Sequence, residues 1–299
     1  MKLKQLLLIF VGSIAVSGLF AQANILNAKI PEEIGVKTEA QLLLDNDEPL
    51  EYGYVDDRDI LYSKMTWENV VLDERVNFPL YFPVDVNNIS KDRKPLYNVL
   101  IENIRDGMIP TVYSDSYFRN ELSQKDLEAS LQKVDTLDIG FDQFNADGYI
   151  DPEYITKRNI EAYDIKSYLI KGLWYFDKRQ GELKYRILGI APAAPDVNFI
   201  DSDDEANKVP IPMFWVFFPE IRDILHEAKS FNDKNSAVPI SFDHLLNSRR
   251  FSGLIYKEEN VYGDREVKEY VAENALMQLL ESERIKDKIR NFEQDMWSY

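Results

Sequence analysis

Few residues in this chain could do chemistry. There are two histidines, His226 and His244, and no cysteine. Neither histidine has a partner at metal-ligand spacing, and no thiol can complete a zinc site. His226 falls beside the apolar stripe of one expected helix and His244 in the first turn of another, so both read as surface side chains. No G-x-S-x-G elbow, G-x-G-x-x-G turn or G-x-x-x-x-G-K-[ST] loop occurs. The best cation-loop lookalike is QFNADGYIDPEY, Gln143 to Tyr154. On an EF-hand frame Asn145, Asp147 and Gly148 take positions three, five and six, with Ile150 and Asp151 at eight and nine. Positions one and twelve are Gln143 and Tyr154, so the first carboxylate and the bidentate glutamate are both missing. An Asx-rich turn is the expectation there. Asp201–Glu205 is an acidic cluster in a Pro-flanked loop and reads as solvated charge. Whether 143–154 or 201–205 takes a cation is left open. With 52 acidic residues some carboxylate pair can always be found, so none is assigned to glycoside hydrolysis. No catalytic, cofactor-binding or metal residue is assigned and no cofactor is expected, which leaves an enzyme class unsupported rather than disproved.

The elements are more legible. Residues 24–58 carry no sustained period, and Asn46–Pro49 marks a turn; this stretch is expected to be an extended arm ordered against a partner. Asp59–Pro83 is rich in β-branched and aromatic residues and is expected to form strands, with Pro79 and Pro83 opposing helix at its end. After Pro95, Leu96, Val99, Leu100 and Ile104 share a helical stripe that Gly107 ends. Ile109–Tyr113 is expected to resume as strand. Ser123 and Asp126 form a capping-box pattern ahead of Leu127, Leu131 and Val134. The 135–160 region is polar and turn-rich. YLIKGLWYFD and ELKYRILGIA flank a Gly181 turn as a hairpin, with Tyr168, Ile170, Trp174 and Phe176 on one face. MFWVFF predicts a strand buried on both faces. Pro219 opens a helix with core residues Ile221, Ile224, Leu225 and Ala228, and Ser241 caps another. Gly253 leads into strand LIYK. Asp264 is expected to cap one helix running nearly to Tyr299, about 50 Å long. The sum is an α+β fold: a mixed or antiparallel sheet with packed helices and a long C-terminal helix. NFPLYFP and PMFWVFFP resemble each other, which leaves open a division of 59–299 into two similar halves near 160–165.

Lys2 and Lys4 precede an apolar run from Leu6 to Phe20, and Ala21 and Ala23 follow. That order predicts a signal peptide over 1–23, cleaved after Ala21 or Ala23. The run is shorter than the roughly 20 residues of a spanning helix, so no direct membrane insertion is expected. With no cysteine, neither a disulfide framework nor a lipid-modified cysteine is available, and membrane association must run through a partner. Removing Lys2 and Lys4 takes the formal charge from -17 to about -19, a poor match for nucleic acid. Aromatics make up 12% of the chain, which separates it from acidic disordered sequences.

MFWVFFPEIRDIL, ISFDHLLNSRRFSGLIYKEENVYGDRE and LLESERIKDKIRNFEQDMWSY, occurring in this order, resemble the GldN/PorN family of Bacteroidetes. KMTWENVVLDERVNFPLYFP, PLYNVL and GLWYFDKRQGELKYRILGIAP agree. The resemblance runs from about Asp59 to Tyr299 and is weakest in the arm and the 196–210 loop. It implies a non-enzymatic structural ring subunit of the type IX secretion and gliding-motility machinery, supporting protein secretion across the outer membrane. The implied partners are a GldK/PorK-like outer-membrane lipoprotein and copies of the chain itself in a ring. The periplasmic part of a GldM/PorM-like motor protein is a further candidate. The implied location is the periplasm, peripheral to the outer membrane through the lipoprotein. The arm and the exposed side of the C-terminal helix are the expected interfaces. A periplasmic ligand- or glycan-binding protein is the alternative.

Overall fold

The run Ile60–Val71 forms one twelve-residue strand, β1, and the rest of the sheet is laid against it. The computed structural model describes residues 30, 48–84, 93–200, 204, 208–232, 240–272 and 274–297. Residues 49–234 and 239–299 form one compact unit; a second, 1–48 with 235–238, lies almost wholly outside the described residues, as does the expected signal peptide. After β1 the chain runs through α1 (Phe78–Tyr81), α2 (Leu96–Arg105), α3 (Gln124–Leu131), β2 (Gln132–Thr136), α4 (Asp138–Asp147) and β3 (Ile155–Asn159). The long hairpin β4 (Ser167–Asp177) and β5 (Glu182–Ala194) follows, then β6 (Ile211–Pro212) and β7 (Val216–Phe217). Next come α5 (Arg222–Glu227), β8 (Lys229–Ser230), β9 (Ile240–Ser241), α6 (Phe242–Asn247), β10 (Leu254–Glu258), α7 (Val267–Tyr270) and α8 (Ala275–Trp297). The fold is α+β. The main sheet has the order β10-β1-β4-β5-β6, with β7 also on β5, and its strand pairs are antiparallel.

Side-chain alternation divides the core between the two sheet faces. On one face Val70, Tyr168, Ile170, Ile187 and Ile190 pack with Leu96 and Leu100 of α2, Leu225 of α5 and Phe242 of α6. Farther along that face Trp174, Tyr62 and Leu183 meet Ile255, Ile285 and Ile289 in a separate cluster beneath α8. The opposite face carries Trp67, Leu169, Ala191 and Trp215, roofed by Tyr113, Tyr117 and Phe118. Phe214, Val216 and Phe218 point into the first cluster and Trp215 into the last, so MFWVFF is buried on both sides as expected, but the expected strand shrinks to Val216–Phe217 because a 3-10 turn begins at Phe218, just before Pro219. Each fully buried large apolar side chain contributes about 1.5–3 kcal/mol.

Several elements differ from the sequence expectation. The strand ends at Val71, and Pro79 sits in the first turn of α1, where its missing N–H costs nothing. Asn77, fully buried, holds this corner: its amide donates to the carbonyls of Val71 and Ser252 and accepts from the Ser252 N–H. Ile109–Tyr113 is no strand; Tyr113 makes isolated bridges to Trp215 and Glu121. The 135–160 region is not mainly turn: β2 and β3 pair across it and α4 lies between. The helix expected from Asp264 onward is broken. Asp264 has φ 59° and its carboxylate accepts from the Asn260 N–H, so it caps nothing helical. Asn274 instead accepts from the N–H groups of Leu276 and Met277, opening α8.

At 23 residues α8 spans about 34 Å. Its Ser282 hydroxyl accepts the N–H of Ile255 on edge strand β10 at 2.8 Å, and Phe292 stacks on Tyr62 at 4.2 Å. The helix thus covers an otherwise open sheet edge. A chain stopped after Glu281 loses Ser282, Ile285, Ile289 and Phe292 together. It should melt at least several degrees below the full chain in a circular-dichroism scan. An unchanged melt would contradict this role for the helix.

Candidate interaction surfaces

The sequence candidates are scattered and do not converge on a reacting centre. His226 lies in α5, and His244, exposed, lies in the first turn of α6, where its N–H donates to Ser241 Oγ at 3.2 Å. Asn145 and Asp147 are inside α4, which Gly148 ends in the left-handed conformation at φ 69°. Gln143 grips Asp151 twice, donating to its carboxylate at 2.9 Å and accepting its N–H at 3.0 Å. The expected Asx-rich turn is therefore a helix C-terminus. The 201–205 loop lies outside the described residues except for Asp204. Among the described residues, no group of three or more His, Asp or Glu side chains is arranged to hold a metal ion. No helix among them is long and apolar enough to cross a membrane.

What the structure assembles instead is a set of cation-aromatic contacts. Residues 50–54, within the described end (48–58) of the expected arm, lie as a strap on the body. Tyr52 sits between Arg222 and Arg186, whose guanidiniums lie 4.1 and 4.6 Å from its ring centre. Its hydroxyl donates to Asn247 Oδ1 at 2.6 Å. Burial raises the phenol pKa, against the two arginines. Arg222, Arg186 and Arg179 donate to the carbonyls of Leu50, Gly53 and Tyr54 at 2.6, 3.0 and 2.7 Å. Arg222 is fixed in turn by a two-point pair with Asp243.

A fourth arginine stands deeper in the fold. Arg249 donates to both oxygens of Glu68, at 3.0 and 2.8 Å, and its guanidinium lies over Tyr185 and Trp174. Glu68 raises the guanidinium pKa against the desolvation that would lower it. Beside the pair a cavity of about 520 Å³ opens between the sheet and α8, lined by Trp174, Arg249, Lys286, Arg290 and Glu293 among others.

On the other sheet face Lys171, 5% exposed, donates to the Ser116 carbonyl at 2.8 Å. With Lys257 it lies over the rings of Trp67 and Tyr117. Burial and then Lys257 hold the Lys171 amine below its usual pKa. Tyr117 donates to Asp264 at 2.8 Å, and burial and that carboxylate push it up to about 12. Gly189 is required beneath this roof: a Cβ there would meet the Phe118 ring at 2.5 Å.

Among the described residues, apolar side chains are exposed in groups on α8 and α4. Leu276, Met277, Leu279 and Leu280 are exposed on α8, on the side away from buried Ile285 and Ile289. Ile139, Phe141 and Phe144 are exposed on α4, with Tyr149 just beyond it. Sequence reasoning missed the strap groove and the Glu68–Arg249 pair. Their members come from elements far apart in the chain, and no local motif marks them.

Compared with known proteins, residues 55–298 match the model of the family described as gliding motility associated protein GldN. No curated protein matches the chain.

Replacing Glu68 with Ala would leave the Arg249 guanidinium without its counter-charge beneath α8. The variant should lose about 3 kcal/mol of stability in denaturant unfolding. A change within experimental error would show that the pair is energetically neutral.

Proposed function

The chain belongs to the GldN family of gliding-motility-associated proteins, and from that membership we propose that it is a non-enzymatic structural subunit of the type IX secretion and gliding machinery. It would assemble as copies in a ring with a GldK/PorK-like outer-membrane lipoprotein. The periplasmic part of a GldM/PorM-like motor protein is the next partner in this reading. The proposal puts the protein in the periplasm, peripheral to the outer membrane, and the lysine, apolar and small-residue order of residues 1–23 supports that compartment.

The family match over nearly the whole described unit carries the proposal. The surfaces support it. Apolar side chains exposed in groups on α4 and α8 are typical of faces that associate. The open face of α8 belongs to a helix whose other side is anchored on the sheet edge, so a partner seated there would meet a rigid platform. A ligand-binding reading draws on the cavity beside Trp174, and a sugar that raised the melting temperature of the isolated protein would favour it.

Envelopes solubilised in mild detergent provide the test. A tagged copy of this chain should co-isolate with a GldK-like lipoprotein in a large complex. Recovery of the tagged protein alone, as a monodisperse small species, would overturn the ring reading.

A further inference from the structure

The strap is held as a ligand is held. Its inward side chain, Tyr52, stacks between two guanidiniums and hydrogen-bonds Asn247, while three arginines take the backbone carbonyls of Leu50, Gly53 and Tyr54. Carbonyl contacts accept any sequence, and a single pocket selects one side chain. That division of labour is characteristic of extended-peptide docking. Leu50 and Tyr54, on either side of Tyr52, are each 80% exposed, so no core residue anchors the strap. Charge adds a weaker, long-range attraction. Glu48–Asp57, EPLEYGYVDD, carries four carboxylates and no basic residue in a chain of net charge -17, and it lies beside three guanidiniums, of which Arg222 also pairs with Asp243 and Arg179 with Asp59 and Asp177. Nothing lies within 4 Å of where a Cβ would stand on Gly53, which leaves the backbone room to turn beside the pocket.

We propose that the Arg186–Arg222–Asn247 groove is a binding site for an extended acidic segment bearing a tyrosine, filled in cis by residues 48–57 and filled in trans by the same segment of a neighbouring copy. Strap exchange would then link adjacent subunits. The proposal rests on the assembly reading only for the presence of a neighbour. The same sequence brings the same contacts, so exchange creates no unmatched group, which is why swapping is a low-cost route to association. From Tyr54 to the start of β1 at Ile60 the chain can reach about 20 Å when extended. Exchange is therefore confined to subunits in direct contact.

The test uses the full chain carrying Tyr52→Ala and a fluorescein-labelled peptide of residues 48–57, followed by fluorescence anisotropy. The variant, with its near-UV circular dichroism unchanged, should bind the peptide saturably. Binding should be about tenfold or more tighter than to the wild-type chain, whose own strap competes at high effective concentration. It should weaken as salt is raised. Absence of binding to the natively folded variant, or equal binding to variant and wild type, overturns the site. The wild-type chain gives a reading that needs no variant: excess peptide should speed hydrogen exchange in residues 48–57, and unchanged exchange at saturating peptide counts against the groove. For the trans step, Tyr52→Ala chains are mixed with Arg186→Ala/Asn247→Ala chains. Native mass spectrometry should find a 1:1 complex that neither forms alone; peptide binding without that complex overturns exchange between copies. All of these use the isolated protein, so their failure is distinct from failure to co-isolate with a lipoprotein.

Discussion

Glu68 stands in the middle of β1 with none of its surface exposed, and a carboxylate buried in that position is costly unless it is paired and hydrogen-bonded. Arg249 supplies the match from the turn after α6, where it adopts φ 51°, a conformation unfavourable for a non-glycine residue. The two-point hydrogen bond, with aromatic rings beneath the guanidinium, repays that cost. The surroundings conform to the pair. Gly253 has no side chain because a Cβ would come within 2.8 Å of Glu68 Oε2, and Gly172 leaves room for the Tyr185 ring, which a Cβ would meet at 2.2 Å. Glu68 pairs across the sheet with Ile170 in the large cluster and with Ile255 in the cluster beneath α8. The ion pair thus marks the boundary between two apolar cores on one sheet face. Its charge fixes how the α6–β10 turn is seated, and through β10 and Ser282 it fixes where α8 lies.

The opposite face solves a different problem with similar parts. Lys171 alternates outward from β4 into a layer of aromatic rings, where an ammonium loses most of its hydration. One carbonyl and several ring faces replace that water. The loop at 113–118 must lie close for this, which explains why its phenyl ring needs a glycine beneath it. Both faces therefore use a basic side chain among aromatics, in a protein whose overall charge is strongly negative. Several of its cations are enclosed by rings, and Glu68 and Asp243 are buried as counter-charges to two of its arginines.

What was legible in the sequence follows from range. The β4–β5 hairpin, the Ser123 and Ser241 caps, α2 and the two-sided burial of MFWVFF rest on neighbours within a few residues, and the structure has each of them. The α+β class followed from those elements. Errors arose where distant contacts override local preference. Asn77 bends the chain out of β1 because Ser252, 175 residues away, completes its hydrogen bonds. Asp264 looked like a helix cap but serves Asn260 and Tyr117. The strap groove was invisible because Arg179, Arg186, Arg222 and Asn247 share no spacing; only the fold brings them to one place. The family resemblance, by contrast, needed no such contact, since it rested on blocks of sequence in order.

Placement of the strap bears on how the proposed subunit could act. A segment held through carbonyls and one ring gives up little apolar burial when it leaves, so its occupancy is governed by local concentration and salt rather than by folding of the body. The body behaves differently. Its cores close without the strap, and α8 is tied to the sheet by a hydrogen bond, a ring stack and buried isoleucines. In the proposed assembly a fixed apolar platform, formed by Leu276, Met277, Leu279 and Leu280, would be combined with a detachable acidic segment, residues 48–57. Contacts through the platform would set the geometry between subunits. Contacts through the strap would add linkage without demanding a second rigid fit, a combination that lets an assembly absorb strain at one interface while keeping register at the other.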